Sequence, residues 1–301
     1  MRSPFEIVSA LLFALAVQFP SPSATAKPIE IPFEEDKDHR IFVQGTINDS
    51  RPLRLLFDTG ANEMAVNRAL KEDASLVIDE VAENTGSDGV STLDYSSNNR
   101  VRVGGMEARM GAVLVEYRNR PFDAVLGHRF FRDRIVEIDY DRSQLVVHER
   151  LPDLAGYVKT KVKMIDDTPV IRLSLTDGKS TVRPWLFFDT GSNGSIDLSY
   201  DFSSRHKLKD KFTQVVGTSQ YTGSAGNKIR AVDVRIQSAG VAGIDLKQPK
   251  ISMTIDEDAS NGDGIVGSDF IHHFNAIIDL KTGYIYLKPN HRLAEGGAAG
   301  Q

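Results

Sequence analysis

The chain contains no cysteine. No disulfide can brace it, so a folded state must rest on its core alone, and a lipoprotein processing site is excluded. Tryptophan occurs once, at Trp185 beside an apolar run, which suits a sugar-binding platform poorly. Neither sign of charge dominates: 36 Lys and Arg against 41 Asp and Glu give −5, mixed along the sequence. Nucleic-acid binders usually carry a basic patch, and none is evident here. Beyond the N-terminus no stretch is long and apolar enough to cross a bilayer. A serine nucleophile elbow and a Gly-rich phosphate loop are also missing.

The N-terminus has the form of an export signal. Arg2 supplies the positive charge, Ile7 to Val17 is apolar but short for a span, and Ala24-Thr25-Ala26 is an A-x-A cleavage site. Cleavage there leaves 301 − 26 = 275 residues, enough for two units of ordinary domain size. An exported protein, periplasmic or secreted, is expected, with an uncleaved anchor as the other reading.

The remaining pattern is mostly short apolar runs between Gly, Asn, Asp and Ser turns, an all-β signature. Examples are Ile41 to Gln44, Arg54 to Phe57, Val101 to Val103, Ala112 to Val115, Val170 to Leu175 and Ile251 to Ile255. Helices are expected over 67–73, 127–134 and 199–211.

Two tripeptides stand out. Asp58-Thr59-Gly60 follows Leu55-Leu56-Phe57, and Asp189-Thr190-Gly191 follows Leu186-Phe187-Phe188. Each places a carboxylate where a buried strand breaks into a tight turn. Each is followed by an apolar-apolar-Gly run, Val125-Leu126-Gly127 and Ile265-Val266-Gly267, and then by a strand ending in Asp139 or Asp279. The offsets are 189 − 58 = 131, 266 − 126 = 140 and 279 − 139 = 140. Such near-constant spacing marks an internal repeat. The nine-residue drift is assigned to an insertion around Ser238 to Lys247.

These residues resemble the two-lobed aspartic proteases of the pepsin/retropepsin kind, which use an apolar-apolar-Asp-Thr/Ser-Gly turn braced by a later apolar-apolar-Gly. Short lobes without cysteine are more similar to the bacterial or retropepsin-like branch. The resemblance spans roughly residues 28 to 290. It implies an all-β, bilobal aspartic-protease fold: two pseudo-symmetric, β-barrel-like lobes with a cleft between them. The expected organisation is a signal segment over 1–26, lobes over 27–150 and 151–290, and a disordered tail over 291–301.

The resemblance also implies the chemistry. Asp58 and Asp189 would be a catalytic pair sharing one proton, because two carboxylates in contact cannot both ionise. One would activate water and the other polarise a peptide carbonyl. Gly60 and Gly191 would let backbone N–H groups approach the carboxylates. Thr59 and Thr190 would bond across the lobe junction, and Leu126, Gly127, Val266 and Gly267 would brace the turns. Ser192 can donate a hydrogen bond to Asp189, which Ala61 cannot do for Asp58, so the proton is expected mainly on Asp58.

A hairpin flap should cover the substrate. The candidates contain Gly86, Asp88 and Gly89 in the first half and Tyr221 and Gly223 in the second. The family carries a flap Tyr in the first half, where this chain has Asp88, with Tyr95 further on. Which hairpin serves stays open.

The expected substrate is an extended peptide or unfolded protein gripped by backbone hydrogen bonds. No cofactor, metal, nucleic acid or, after cleavage, membrane is expected. A monomer or a dimer could complete the site. The acidic run 256–264 fails the EF-hand pattern and reads as a solvated turn. His272-His273 lack a matching ligand motif. Arg129, Arg132 and Arg134 read as an exposed helix face. Two other functions fit less well: a silent peptide- or partner-binding protein on the same fold, and a glycosidase, whose carboxylates stand at least about 5 Å apart.

Overall fold

The computed structural model describes residues 27–293, save 87, 118–119, 224 and 258–261. The expected export segment, the Gly-rich end 294–301 and the middle of the acidic run therefore lie outside the described residues. The architecture is all-β, with strands in three sheets and only short helical turns.

Each half builds the same strand pattern. In the first, Leu53–Asp58 runs parallel to Ala124–Gly127. Met64–Asn67 is antiparallel to that strand and parallel to Met106–Val115. In the second, Trp185–Phe188 runs parallel to Gly264–Val266. Ile196–Leu198 is antiparallel to that strand and parallel to Lys250–Thr254. Leu55, Leu56 and Phe57 are all buried, as a central parallel strand covered on both faces requires.

The halves join through six consecutive strands: Ile29–Pro32, Gln144–His148, Ile135–Asp139, Phe274–Asp279, Tyr284–Pro289 and Val158–Ile165. At its centre Glu137 faces Ile277, and 277 − 137 = 140 equals the repeat offset. Equivalent residues thus oppose each other, which is where a two-fold relation between the halves must pass. One continuous core runs through both halves, from Ile31 to Leu287.

Strand registers relocate the insertion. Ala65 and Asp197 hold equivalent places opposite Val125 and Ile265, an offset of 197 − 65 = 132. Further on, Glu80 and Gly217 oppose the equivalent residues Tyr95 and Asp233, an offset of 217 − 80 = 137. Most of the drift therefore enters between these points and not at Ser238 to Lys247. There the first half has only the 3-10 turn Arg68–Leu70, while the second has helices Tyr200–Arg205 and Leu208–Lys211. Segment 238–247 is a hairpin of its own, Ser238–Val241 with Ile244–Lys247.

The helices are shorter than expected because so few residues anchor them. Asn67 caps the 3-10 turn through Ala69 N–H, and Leu70 is its only buried residue. Ser199 caps the first α-helix through Phe202 N–H at 3.2 Å. A left-handed Lys207 (φ 51°) then separates the two short helices. Over 127–134 only the 3-10 turn His128–Phe131 forms. At the C-terminus, Arg292 forks onto Glu35 at 2.7 and 3.0 Å, so described structure extends past residue 290.

Candidate active site

Both tripeptide turns end a buried strand and meet at the junction of the halves. Gly60 N–H donates to Asp58 Oδ1 at 2.8 Å. Gly191 N–H and Ser192 N–H donate to Asp189 Oδ1 at 2.8 and 3.0 Å. The Asp58 and Asp189 carboxyls face each other at the junction, each turn glycine lying against the opposite carboxyl, and two carboxyls so placed cannot both ionise and therefore share one proton. Burial, then the charge of Asp189, holds Asp58 well above the ordinary carboxyl range. Burial also raises Asp189, while hydrogen bonds from Asp58, Ser192 and Gly191 work against that rise.

The glycines have a further role. A Cβ on Gly60 would stand 2.6 Å from Cγ of Asp189, and one on Gly191 would stand 2.3 Å from Cγ of Asp58. Each turn leaves room for the opposite carboxylate while its own N–H groups hold its own.

The threonines interlock. Thr59 Oγ1 donates to Phe188 O at 2.5 Å and accepts from Thr190 N–H at 3.1 Å. Thr190 Oγ1 donates to Phe57 O at 2.8 Å and accepts from Thr59 N–H at 3.1 Å. Both are almost completely buried, so all four bonds are shielded from water.

The bracing motifs lie where the sequence places them. Asp58 faces Gly127 in a parallel pair, and Asp189 N–H donates to Val266 O at 3.0 Å. Leu126 and Val266 are fully buried. A Cβ on Gly127 would meet Glu63 O at 2.2 Å, and one on Gly267 would meet Gly194 O at 2.4 Å. The sequence reading missed Ser268, whose buried hydroxyl donates to Thr190 O at 2.8 Å. Its position after the second apolar-apolar-Gly was the available signal.

The expected Ser192 hydroxyl bond to Asp189 is not formed. Ser192 reaches Asp189 through its backbone N–H, while its Oγ accepts from Gly194 N–H at 3.4 Å. The turn geometry points the Ser192 peptide N–H, not its side chain, at the carboxylate; in the first turn Ala61 N–H donates to the Asp58 main-chain carbonyl at 3.4 Å.

The sheet faces beside the two carboxylates differ. Beside Asp58, Leu56, Val125 and Ala65 pack with Phe42, Phe122 and Tyr117. Burial and the charge of Asp58 raise the Tyr117 phenol. In the second half the equivalent row is Phe187, Ile265 and Asp197, continued by Ser252 and Asp233. Burial first, then the charges of Asp233 and Asp189, pushes Asp197 up to about 6, against a hydrogen bond from Ser252. Asp197 sits in the repeat where the first half has Ala65; that difference was visible in the sequence and went unread.

Both candidate flaps are hairpins, and they meet. Gly86 pairs with Gly89 at one tip, and Thr222 pairs with Lys228 near the other. Asp88 bridges them, accepting from Ala225 N–H at 2.9 Å and Asn227 N–H at 2.6 Å. Asn227 Nδ2 returns a bond to Asp88 O at 2.9 Å. Tyr95 is committed elsewhere: its hydroxyl donates to Glu63 at 3.0 Å, and burial with that bond pushes it up to about 12. Tyr221 contacts Thr254 through its hydroxyl at 3.2 Å. Gly223 lies in the second tip, where Gly226 N–H donates to its carbonyl at 3.3 Å.

Arg129 is not part of a free cationic face. It pairs with Glu63 at 2.7 Å and Asp167 at 2.6 Å. Arg132 is exposed, and Arg134 pairs with Glu149 at 3.0 Å.

Residues 43–130 match the family model described as aspartyl protease. The matched stretch carries Asp58-Thr59-Gly60 and Leu126-Gly127. No curated protein matches the chain. The family match, with an all-β fold, supports an aspartic-protease-like family and a hydrolase of the protease kind.

Proposed function

We propose that the protein is an exported aspartic endopeptidase acting in the periplasm or outside the cell. The observation that carries this reading is the facing Asp58–Asp189 pair, held in matched turns by the Thr59–Thr190 interlock. A water held between the carboxyls would lose a proton to the ionised member. The protonated member would hydrogen-bond the scissile carbonyl, and no covalent intermediate is needed. Carboxyls in direct contact fit this chemistry and not that of a glycosidase, which needs a wider gap.

The substrate is an extended peptide or unfolded protein lying between the dyad and the joined hairpins. Partly exposed Ala65 and Tyr117, at the edge of the buried apolar cluster beside Asp58, suit an apolar side chain. The two halves, as lobes over 27–150 and 151–290, complete one site within a single chain, whether or not it dimerises. A silent binding protein is the second reading, favoured by the Asp88 bridge that ties the hairpins together.

The deciding experiment incubates the mature protein with a mixed peptide library, with and without a transition-state-mimicking aspartic-protease inhibitor. Inhibitor-sensitive cleavage that disappears in Asp58→Asn and Asp189→Asn is expected. Cleavage that survives either substitution would remove the dyad from the mechanism; peptide binding without cleavage would favour the second reading.

A further inference from the structure

Strand registers make the loops flanking the two catalytic turns equivalent as well. Phe42 faces Leu56 and Val170 faces Phe187, so His39 and Asp167 are counterparts. The 140 offset makes Arg129 and Asp269 counterparts. On one side of the dyad this relationship is a direct ion pair, Arg129 to Asp167, at 2.6 Å. On the other side it brings the Asp269 carboxylate to the His39 ring, with His272 stacked on His39 at 3.7 Å between ring centroids. One ring nitrogen of each histidine and one Asp269 oxygen lie within 4.8 Å of one another. Among the described residues no hydrogen bond or ion pair joins Asp269 to either ring.

The ring hydrogen bonds decide what these groups can offer. His39 Nδ1 lies 2.6 Å from the Glu35 carboxylate, and His272 Nδ1 lies 3.0 Å from Ser268 O. Both partners are acceptors, so both Nδ1 atoms carry the hydrogen. In the neutral rings each Nε2 then has a lone pair and no protein donor. An imidazole anchored through its other nitrogen by a carboxylate or a carbonyl is the usual state of a metal-ligating histidine. Glu35 is itself fixed by Arg292, which neutralises it. Three acceptors thus converge where the other half has a cation and an anion in contact.

We propose that His39, His272 and Asp269 bind a divalent cation of the zinc class, which takes the bridging role that Arg129 plays across the repeat. Two imidazoles and a carboxylate suit such an ion, with water completing four ligands. Bonds of about 2.0–2.1 Å require ligand atoms roughly 3.4 Å apart, so the site closes by up to about 1.4 Å on binding. Exposed Asp269 and partly exposed His39 can make that movement, with the two rings tilting out of their stack. His39 lies in the 36–40 turn of the first half and the other two ligands in 268–272 of the second, so the ion would clamp the halves behind the Asp189 turn. Sequence reading passed over the site because only Asp269-x-x-His272 is local; His39 lies 230 residues before Asp269 (269 − 39 = 230).

The test uses the mature chain stripped with a chelator and titrated with Zn²⁺ by calorimetry. One equivalent should bind and raise Tm. His39→Gln and Asp269→Asn should each weaken binding by at least about ten-fold, since even indirect supports of metal sites cost that much. Asp269 is exposed, so its variant should fold even if substitution of the buried His272 does not. His148→Gln, remote from the site, should bind as wild type does. Co²⁺ should give the visible spectrum of a four- or five-coordinate site with nitrogen ligands. Absence of stoichiometric binding, or binding unchanged in both His39→Gln and Asp269→Asn, would overturn the assignment and leave a stacked histidine pair. None of these readouts depends on proteolysis, so the clamp and the peptidase stand or fall separately.

Discussion

Gly191 of the second half lies against the Asp58 carboxyl of the first, so closely that a Cβ would stand 2.3 Å from its Cγ. Gly60 lies against Asp189 in the reciprocal way. Neither glycine needs a left-handed backbone, so an alanine there acts through contact alone. Gly191→Ala and Gly60→Ala should each push the carboxyls out of register. A displacement of about 1 Å costs roughly 100-fold in a positioned reaction. Provided the dyad cleaves peptides as proposed, measured kcat/KM should fall at least that far for both, with the fold retained by circular dichroism. Activity within a few-fold of wild type would mean that the turns tolerate separation.

The threonine interlock should show as stability. Thr59→Val keeps the shape but strands Phe188 O without its donor and Thr190 N–H without its acceptor. Leaving buried polar groups unpaired costs about 1–3 kcal/mol each. Thr190→Val should behave alike, and the double variant should lose less than the sum, because the two share one network. Denaturant midpoints for the three variants and for Thr59→Ser check this. Strict additivity would show the two hydroxyls to be independent.

Much of this was legible in the sequence, and the limits have physical causes. Asp58, Asp189, their threonines and the bracing glycines were found because a repeated turn must repeat its own local residues. The strands ending at Asp139 and Asp279 were read from the same offset, but their pairing across the halves, Glu137 opposite Ile277, was not, because a strand's own sequence does not name its partner. What failed concerned direction and distance. Ser192 was expected to use its hydroxyl, but the backbone of the turn delivers the peptide N–H. The Asp88 bridge to Asn227 joins segments 139 residues apart and no local pattern encodes it. Nor did helix-forming composition over 199–211 reveal the left-handed Lys207 that divides it. Arg129 looked solvated because its partners, Glu63 and Asp167, approach from 66 and 38 residues away.

The pH dependence of stability should run against the usual carboxylate pattern. Asp197 is raised from 3.8 to about 6. Its folded form keeps a proton that the unfolded chain releases, so its contribution is most favourable below about pH 4. That contribution is lost as pH rises from there through 6. A shift of about two pH units corresponds to at most roughly 3 kcal/mol at neutral pH. Asp197→Asn should therefore raise stability at pH 7 and change it little at pH 3.5. Denaturant unfolding at both values measures this. An equal effect at the two would show that the carboxyl is not held protonated by its surroundings.

The last prediction concerns Asp88, whose carboxylate takes two backbone N–H groups from the opposite hairpin. Bonds to a charged acceptor contribute about 1.5–3 kcal/mol each when both groups stay desolvated, and Asp88 is almost completely buried. The bridge should therefore keep the two tips together in the free protein. On the proposed binding mode a long peptide lies beneath the tips, so its entry requires breaking the bridge. Asp88→Ala should leave the dyad untouched but release the tips. Amide hydrogen exchange at Ala225 and Asn227 should quicken by at least about ten-fold, an energy change of only about 1.4 kcal/mol. Exchange within the Thr59 and Thr190 turns should stay as slow as before. Provided the dyad cleaves peptides, association of long substrates should speed up, while the closed complex loses part of its cover and kcat falls. Unchanged exchange at 225 and 227 would mean that other contacts hold the tips and that Asp88 is not the fastening.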